Sequence, residues 1–111
     1  MRRNALYYVE NIRTIIMALA TDRFVGHLAK TKGKTMLYEC SWENSQHVIN
    51  RIKKLINDNL ITDATNDGVN IRWTPGIDEI IINDKRNEYQ IDIEQTTIRG
   101  SIVISFSYHK R

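Results

Sequence analysis

The sequence predicts an α+β protein in which N-terminal helices pack on a C-terminal antiparallel sheet of about four strands. Three observations carry that expectation. The apolar residues recur at three- and four-residue intervals through the first half of the chain and alternate from about Val69 onward, so the period falls from 3.6 to 2. Turn signals such as Asp67-Gly68 and Pro75-Gly76 appear only beside the alternating part. A length of 111 residues with 41% hydrophobic and 26% charged side chains is that of one ordinary globular core, and a chain of this size buries roughly two thirds of its unfolded surface. One domain over residues 1–111 is therefore expected.

The first helix is expected from about Asn4 to Ala20, with Ala5, Tyr8, Val9, Ile12, Ile15, Ile16 and Leu19 at helical spacing and Asn4 as N-cap. A second, short helix is expected to start at Thr21 or Asp22, turn Phe24, Val25 and Leu28 inward and end at Gly33. Thr35 to Cys40 is too brief for periodicity to decide, and its consecutive Met36, Leu37 and Tyr38 are read as a strand. Ser41 caps the best helix, Trp42 to about Asp58, whose inward stripe is Trp42, Ser45, Val48, Ile49, Ile52, Leu55 and Ile56. Asn59 is the expected left-handed terminator.

Four strands follow. Val69, Ile71 and Trp73 alternate with polar residues, and Ile77 to Asn83 is dense enough in Ile to be buried on both faces. Tyr89, Ile91 and Ile93 alternate with Gln90, Asp92 and Glu94 after a polar turn at Asp84 to Glu88. Ile98, Ile102, Ile104, Phe106 and Tyr108 are assigned to the last strand, with Gly100 marking a bulge or close approach. Short connections favour an antiparallel meander.

Most catalytic chemistry fails its spacing requirement. Gly33-Lys34-Thr35 resembles the end of a phosphate-binding P-loop, but that loop needs a glycine at the position occupied by Leu28. Asp92 and Glu94 share a strand face, yet the lysine that a restriction-type nuclease places two residues beyond its strand acid is Glu94 or Thr96. His27, His47 and His109 have no partner at metal-ligand spacing, and the serines lack a glycine-flanked elbow. Neither an enzyme, nor a cofactor, nor a metal is expected. The single cysteine, Cys40, suits a reducing, cytoplasmic compartment, and no apolar run reaches the length of a membrane span.

Charge is unevenly placed. The net charge of +3 combines +5 through Thr62 with −2 from Asp63 onward. A basic half attracts polyanions. The leading expectation is a small nucleic-acid-binding regulator in which Lys30, Lys32, Lys34, Arg51, Lys53 and Lys54 contact phosphates while Gln46, His47 and Asn50 approach bases. The stretch from Asn50 to Ile61 resembles the end of a recognition helix entering the first wing strand of winged-helix DNA-binding proteins, and the resemblance implies a wing tip at Asp67-Gly68. A competing layout pairs Thr35 to Cys40 with the later strands, so that the long helix covers the sheet. The alternative function is a non-catalytic inhibitor or adaptor that meets a protein partner through the edge or acidic face of the C-terminal sheet. The apolar last strand would also serve a homodimer.

Overall fold

A computed structural model describes residues 2–19, 27–40, 42–74 and 78–111, without the side chains of 27–32, 38, 40, 42–44, 98 and 101. Its elements in order are α1 (Ala5–Leu19), β1 (His27–Lys32), β2 (Thr35–Cys40), α2 (Trp42–Asn59), α3 (Ile61–Asn66), β3 (Asn70–Trp73), β4 (Glu79–Asn83), β5 (Glu88–Ile98) and β6 (Ser101–Lys110). The class is α+β, and the sheet has six antiparallel strands in the order β1-β2-β6-β5-β4-β3. The four expected C-terminal strands are all present as a meander, Thr35–Cys40 is a strand as expected, and the unexpected β1 pairs with it in a hairpin between the helices.

That hairpin corrects the expected second helix over its described part. His27–Lys32 is a strand paired to β2, from His27↔Glu39 to Lys32↔Thr35. Gly33, with φ +56, closes a hairpin instead of capping a helix. The expected inward placement of Phe24 and Val25 lies outside the described residues, as does the expected cap at Ser41. β2 then pairs along β6, from Thr35↔Ser107 to Cys40↔Ile102, which selects the layout with α2 on the sheet. The winged-helix expectation falls with it: the residues after α2 form α3 instead of a wing strand. Leu60 keeps a right-handed backbone at φ −117, ψ −30, and Asn59 donates its side-chain amide to the Leu55 carbonyl at 2.8 Å from within the helix, so it is not a left-handed terminator.

The long last strand is also two pieces. Arg99 (φ 49) and Gly100 (φ 82) form a two-residue turn of the primed type, whose twist matches the strands it joins. Gly100 is thus a hairpin corner and not a bulge. β5 and β6 pair over their whole length, from Tyr89↔Lys110 to Ile98↔Ser101, and make the spine of the molecule. β2 attaches to β6 along residues 102–107, whereas β4 attaches to β5 only along residues 88–92. The two outer hairpins therefore sit on opposite sides and at opposite ends of the spine.

Alternation decides what each face does. Ile80 and Ile82, Ile91 and Ile93, and Ile102, Ile104 and Phe106 point to one face, where they join Met36, the α1 residues Tyr8, Val9, Ile12 and Ile16, and the α2 residues Val48, Ile49, Ile52 and Ile56 in a single core. Each such side chain contributes roughly 1.5–3 kcal/mol through burial. The opposite face is largely polar, with Leu37 and Val103 half-buried on it and Ile81 buried outside that core between its row neighbours Arg72 and Gln90. All three consecutive isoleucines of β4 are buried, as their density predicted.

Two outcomes follow. Ile104→Ala, which empties a fully buried site, lowers stability by about 2–5 kcal/mol in urea unfolding. Arg99→Asn relieves the left-handed backbone at the corner and raises stability by about 0.5–1 kcal/mol.

Candidate functional site

The residues expected to bind nucleic acid are placed unequally. On α2, Gln46, His47, Asn50, Arg51 and Lys54 are all exposed, and at about 100° per residue they share one side of the helix. Three of the five are engaged locally. Gln46 donates Nε2 to Asn50 Oδ1 at 3.1 Å, and Lys54 Nζ pairs with Asp58 at 2.8 Å. Lys53 leaves this strip altogether: half-buried, its Nζ stands 4.8 Å from the centre of the Trp73 ring.

Lys34 lies elsewhere, with Nζ 5.3 Å from the centre of the Tyr108 ring, while the Arg13 guanidinium approaches the same ring at 5.2 Å. Tyr108 and Trp73 end one transverse row, Tyr108-Ile91-Ile80-Trp73. At about 4.8 Å per strand the two aromatic anchors are about 14 Å apart. Lys34 and Lys53 are therefore anchored three strands apart along one row and are not side by side. Lys30 and Lys32 occupy β1 opposite Leu37 and Thr35, and their side chains are not among those described.

A different set of cations does converge, and Asp84 assembles it. One of its carboxylate oxygens accepts the Ala5 N–H at 2.8 Å, and the other accepts the N–H groups of Arg86 (2.7 Å) and Asn87 (2.8 Å). Desolvation pushes this carboxyl up, but the three backbone donors outweigh it and hold its pKa below the ordinary value. By gripping both the first turn of α1 and the turn between β4 and β5, Asp84 brings Lys85-Arg86 beside Arg2-Arg3. The result is a recess of about 350 Å³ lined by those four cations together with Asn4, Asp67, Gly68 and Asp84.

The carboxylates in this recess are already occupied. Asp67 accepts the Arg3 Nε–H at 2.9 Å and the Tyr8 hydroxyl on the same oxygen. The Tyr8 bond and the Arg3 guanidinium hold its pKa down. Burial, with the bond to Asp67 and the field of Asp63 behind it, pushes Tyr8 up to about 12. Arg3 is further fixed by a 3.2 Å bond to the Tyr7 hydroxyl and by stacking at 4.9 Å on the Tyr7 ring. Arg2, Lys85 and Arg86 are exposed and have no ion pair among the described residues. The sequence signal for this site is a pair of dibasic doublets, Arg2-Arg3 and Lys85-Arg86, 82 residues apart. Neither doublet points to the other without the fold.

The outer sheet face is of opposite character. Glu79 and Asp92 stand directly across β4 and β5 from each other, an arrangement that repels. Gln90 relieves it by donating Nε2 to both, at 2.9 and 2.6 Å, and His109 Nδ1 lies 3.5 Å from Asp92. Glu94 shares this face, as the alternation of β5 predicted. Among the described residues no three His, Cys, Asp or Glu gather to hold a metal ion, and no helix is long and apolar enough to cross a membrane. A second recess, of about 300 Å³ between α3 and β3, has no charged lining residue.

Removing the clamp with Asp84→Ala frees three backbone donors at once and lowers stability by about 2–3 kcal/mol in urea unfolding. The Tyr8-Asp67 pair makes stability depend on pH at both extremes. The Asp67 contribution is complete above the ordinary carboxylate range and is lost as pH falls through its lowered folded value. The Tyr8 contribution is complete below pH 10 and is lost as pH rises toward 12. In a series of urea midpoints against pH, Tyr8→Phe flattens the alkaline limb, and Asp67→Asn flattens part of the acid limb.

Comparison with protein-family models, with curated proteins and with solved structures finds no match for this chain. Its functional reading therefore rests on the chemistry of its own surfaces.

Proposed function

We propose that this chain is a non-enzymatic nucleic-acid-binding protein that holds backbone phosphates at its basic end. The observation that carries this reading is the recess in which Arg2, Arg3, Lys85 and Arg86 converge while its two carboxylates are consumed by internal bonds. Three of the four cations are in no ion pair among the described residues, so a phosphate meets them without first breaking a salt bridge. The C-terminal end of β6 lies beside the same turn, where Arg111 N–H bonds to the Glu88 carbonyl at 2.9 Å, but the Arg111 guanidinium is itself paired with the Glu88 carboxylate at 3.3 Å. Arginine suits the task because its guanidinium binds phosphate oxygens in a fork. The exposed strip of α2, with Gln46, His47, Asn50, Arg51 and Lys54, supplies no comparable convergence of charge.

Four phosphate contacts on a duplex give a slope of log K against log salt of roughly −3.6, or about a hundredfold loss of affinity between about 50 and about 200 mM salt. Fluorescence anisotropy with labelled single-stranded and duplex oligonucleotides measures it. The triple variant Arg2→Ala/Lys85→Ala/Arg86→Ala is expected to bind at least tenfold more weakly and with a shallower slope, while Arg51→Ala/Lys54→Ala binds as the parent does. Absence of binding at low salt overturns the proposal. A loss confined to the α2 variant moves the site to the helix.

A further inference from the structure

We infer that the free edge of β5, near the tip of the spine, is a docking strand for an extended basic segment of a partner protein. β4 covers β5 only as far as Asp92, with one further bond from Ile93 N–H to the Asp78 carbonyl at 2.8 Å. In an antiparallel strand, alternate residues direct both backbone groups to the same side. The turn at Arg99-Gly100 makes Ile98↔Ser101 a hydrogen-bonded pair, so Thr96 and Glu94 bond toward β6. Gln95 and Thr97, in phase with Ile93, therefore direct N–H and C=O outward on the β4 side, where no described strand lies beyond Asp78. Glu94, Gln95, Thr96 and Thr97 are all exposed.

An added strand would continue the line of β4 and bond to Gln95 and Thr97. Strand addition draws affinity from those backbone bonds and specificity from alternate side chains. Charge names the occupant. Glu94, on the face that also carries Asp92 and Glu79, projects beside the position of the incoming strand, and exposed Asp78 stands where that strand would meet β4. Alternate Lys or Arg residues on a partner segment complement both carboxylates. A second copy of this chain fits less well, because pairing two such short edges buries far less than the roughly 1,200 Å² of a stable interface.

The edge sits apart from the basic recess, and the two surfaces are tested separately. The probes are two synthetic peptides, one of alternating Lys and Val and one of alternating Glu and Val, added to the full chain. In the free protein the amides of Gln95 and Thr97 are expected to exchange with solvent rapidly while those of Glu94 and Thr96 are protected. The Lys-Val peptide is expected to slow exchange at Gln95 and Thr97 at least tenfold, and the Glu-Val peptide to leave it unchanged. Thr97→Pro removes an outward N–H, which an edge strand tolerates, and is expected to abolish the effect with the chain still folded. Glu94→Lys is expected to weaken the Lys-Val peptide at least fivefold. Protection that arises with protein concentration alone overturns the inference in favour of self-association. Equal protection by both peptides, or none by either, also overturns it.

Discussion

The pairing of β5 with β6 is the constraint on which the rest of the structure hangs. A two-residue corner sets its register, and ten opposed pairs carry that register to the far end. With β6 held on the core, a shift of β5 by one residue would turn Ile91 and Ile93 to solvent and Asp92 and Glu94 into the core. Everything else is attached to this ribbon. The helices cover its apolar face, and each outer hairpin borrows one of its edges.

Because the outer hairpins are staggered, the ribbon presents different chemistry at its two ends. At one end the β4–β5 turn, the start of α1 and the last residues of β6 lie together, and cations from three distant parts of the sequence accumulate. At the other end the ribbon runs on past β4, with Glu94 on its outer face and an edge that no described strand covers. The molecule is correspondingly long, about 45 × 26 × 25 Å. The division between a basic first half and an acidic second half, plain in the charge count, is not the division that the fold makes: Lys85 and Arg86 come from the acidic half, and they complete the basic recess.

What the sequence made legible follows from how local the cause is. The α1 and α2 stripes were readable because Ile12, Ile16, Val48, Ile49, Ile52 and Ile56 repeat within one helix, and Asn4 was a readable cap because it bonds to Tyr7 only three residues on. The hairpin of β1 was hidden because Gly33 serves equally as a helix terminator or as a corner, and only pairing of β2 to β6, nearly 70 residues away, decides between them. Gly100 misled for the same reason, since Ile98 and Ile102 keep phase by sequence although a corner separates them. The recess was illegible in principle, because its assembler, Asp84, acts on a helix start 79 residues away.

The seam between β2 and β6 has a consequence for how the chain comes to be folded. It joins residues 35–40 to residues 102–107, so the β1–β2 hairpin has no sheet to dock on until nearly the whole chain exists. Loop closure of that span is costly, and pairings of such sequence separation slow folding. During synthesis the first 40 residues must wait as an unsupported helix and hairpin, and any fragment that ends before Ser101 lacks the strand that holds the two halves together.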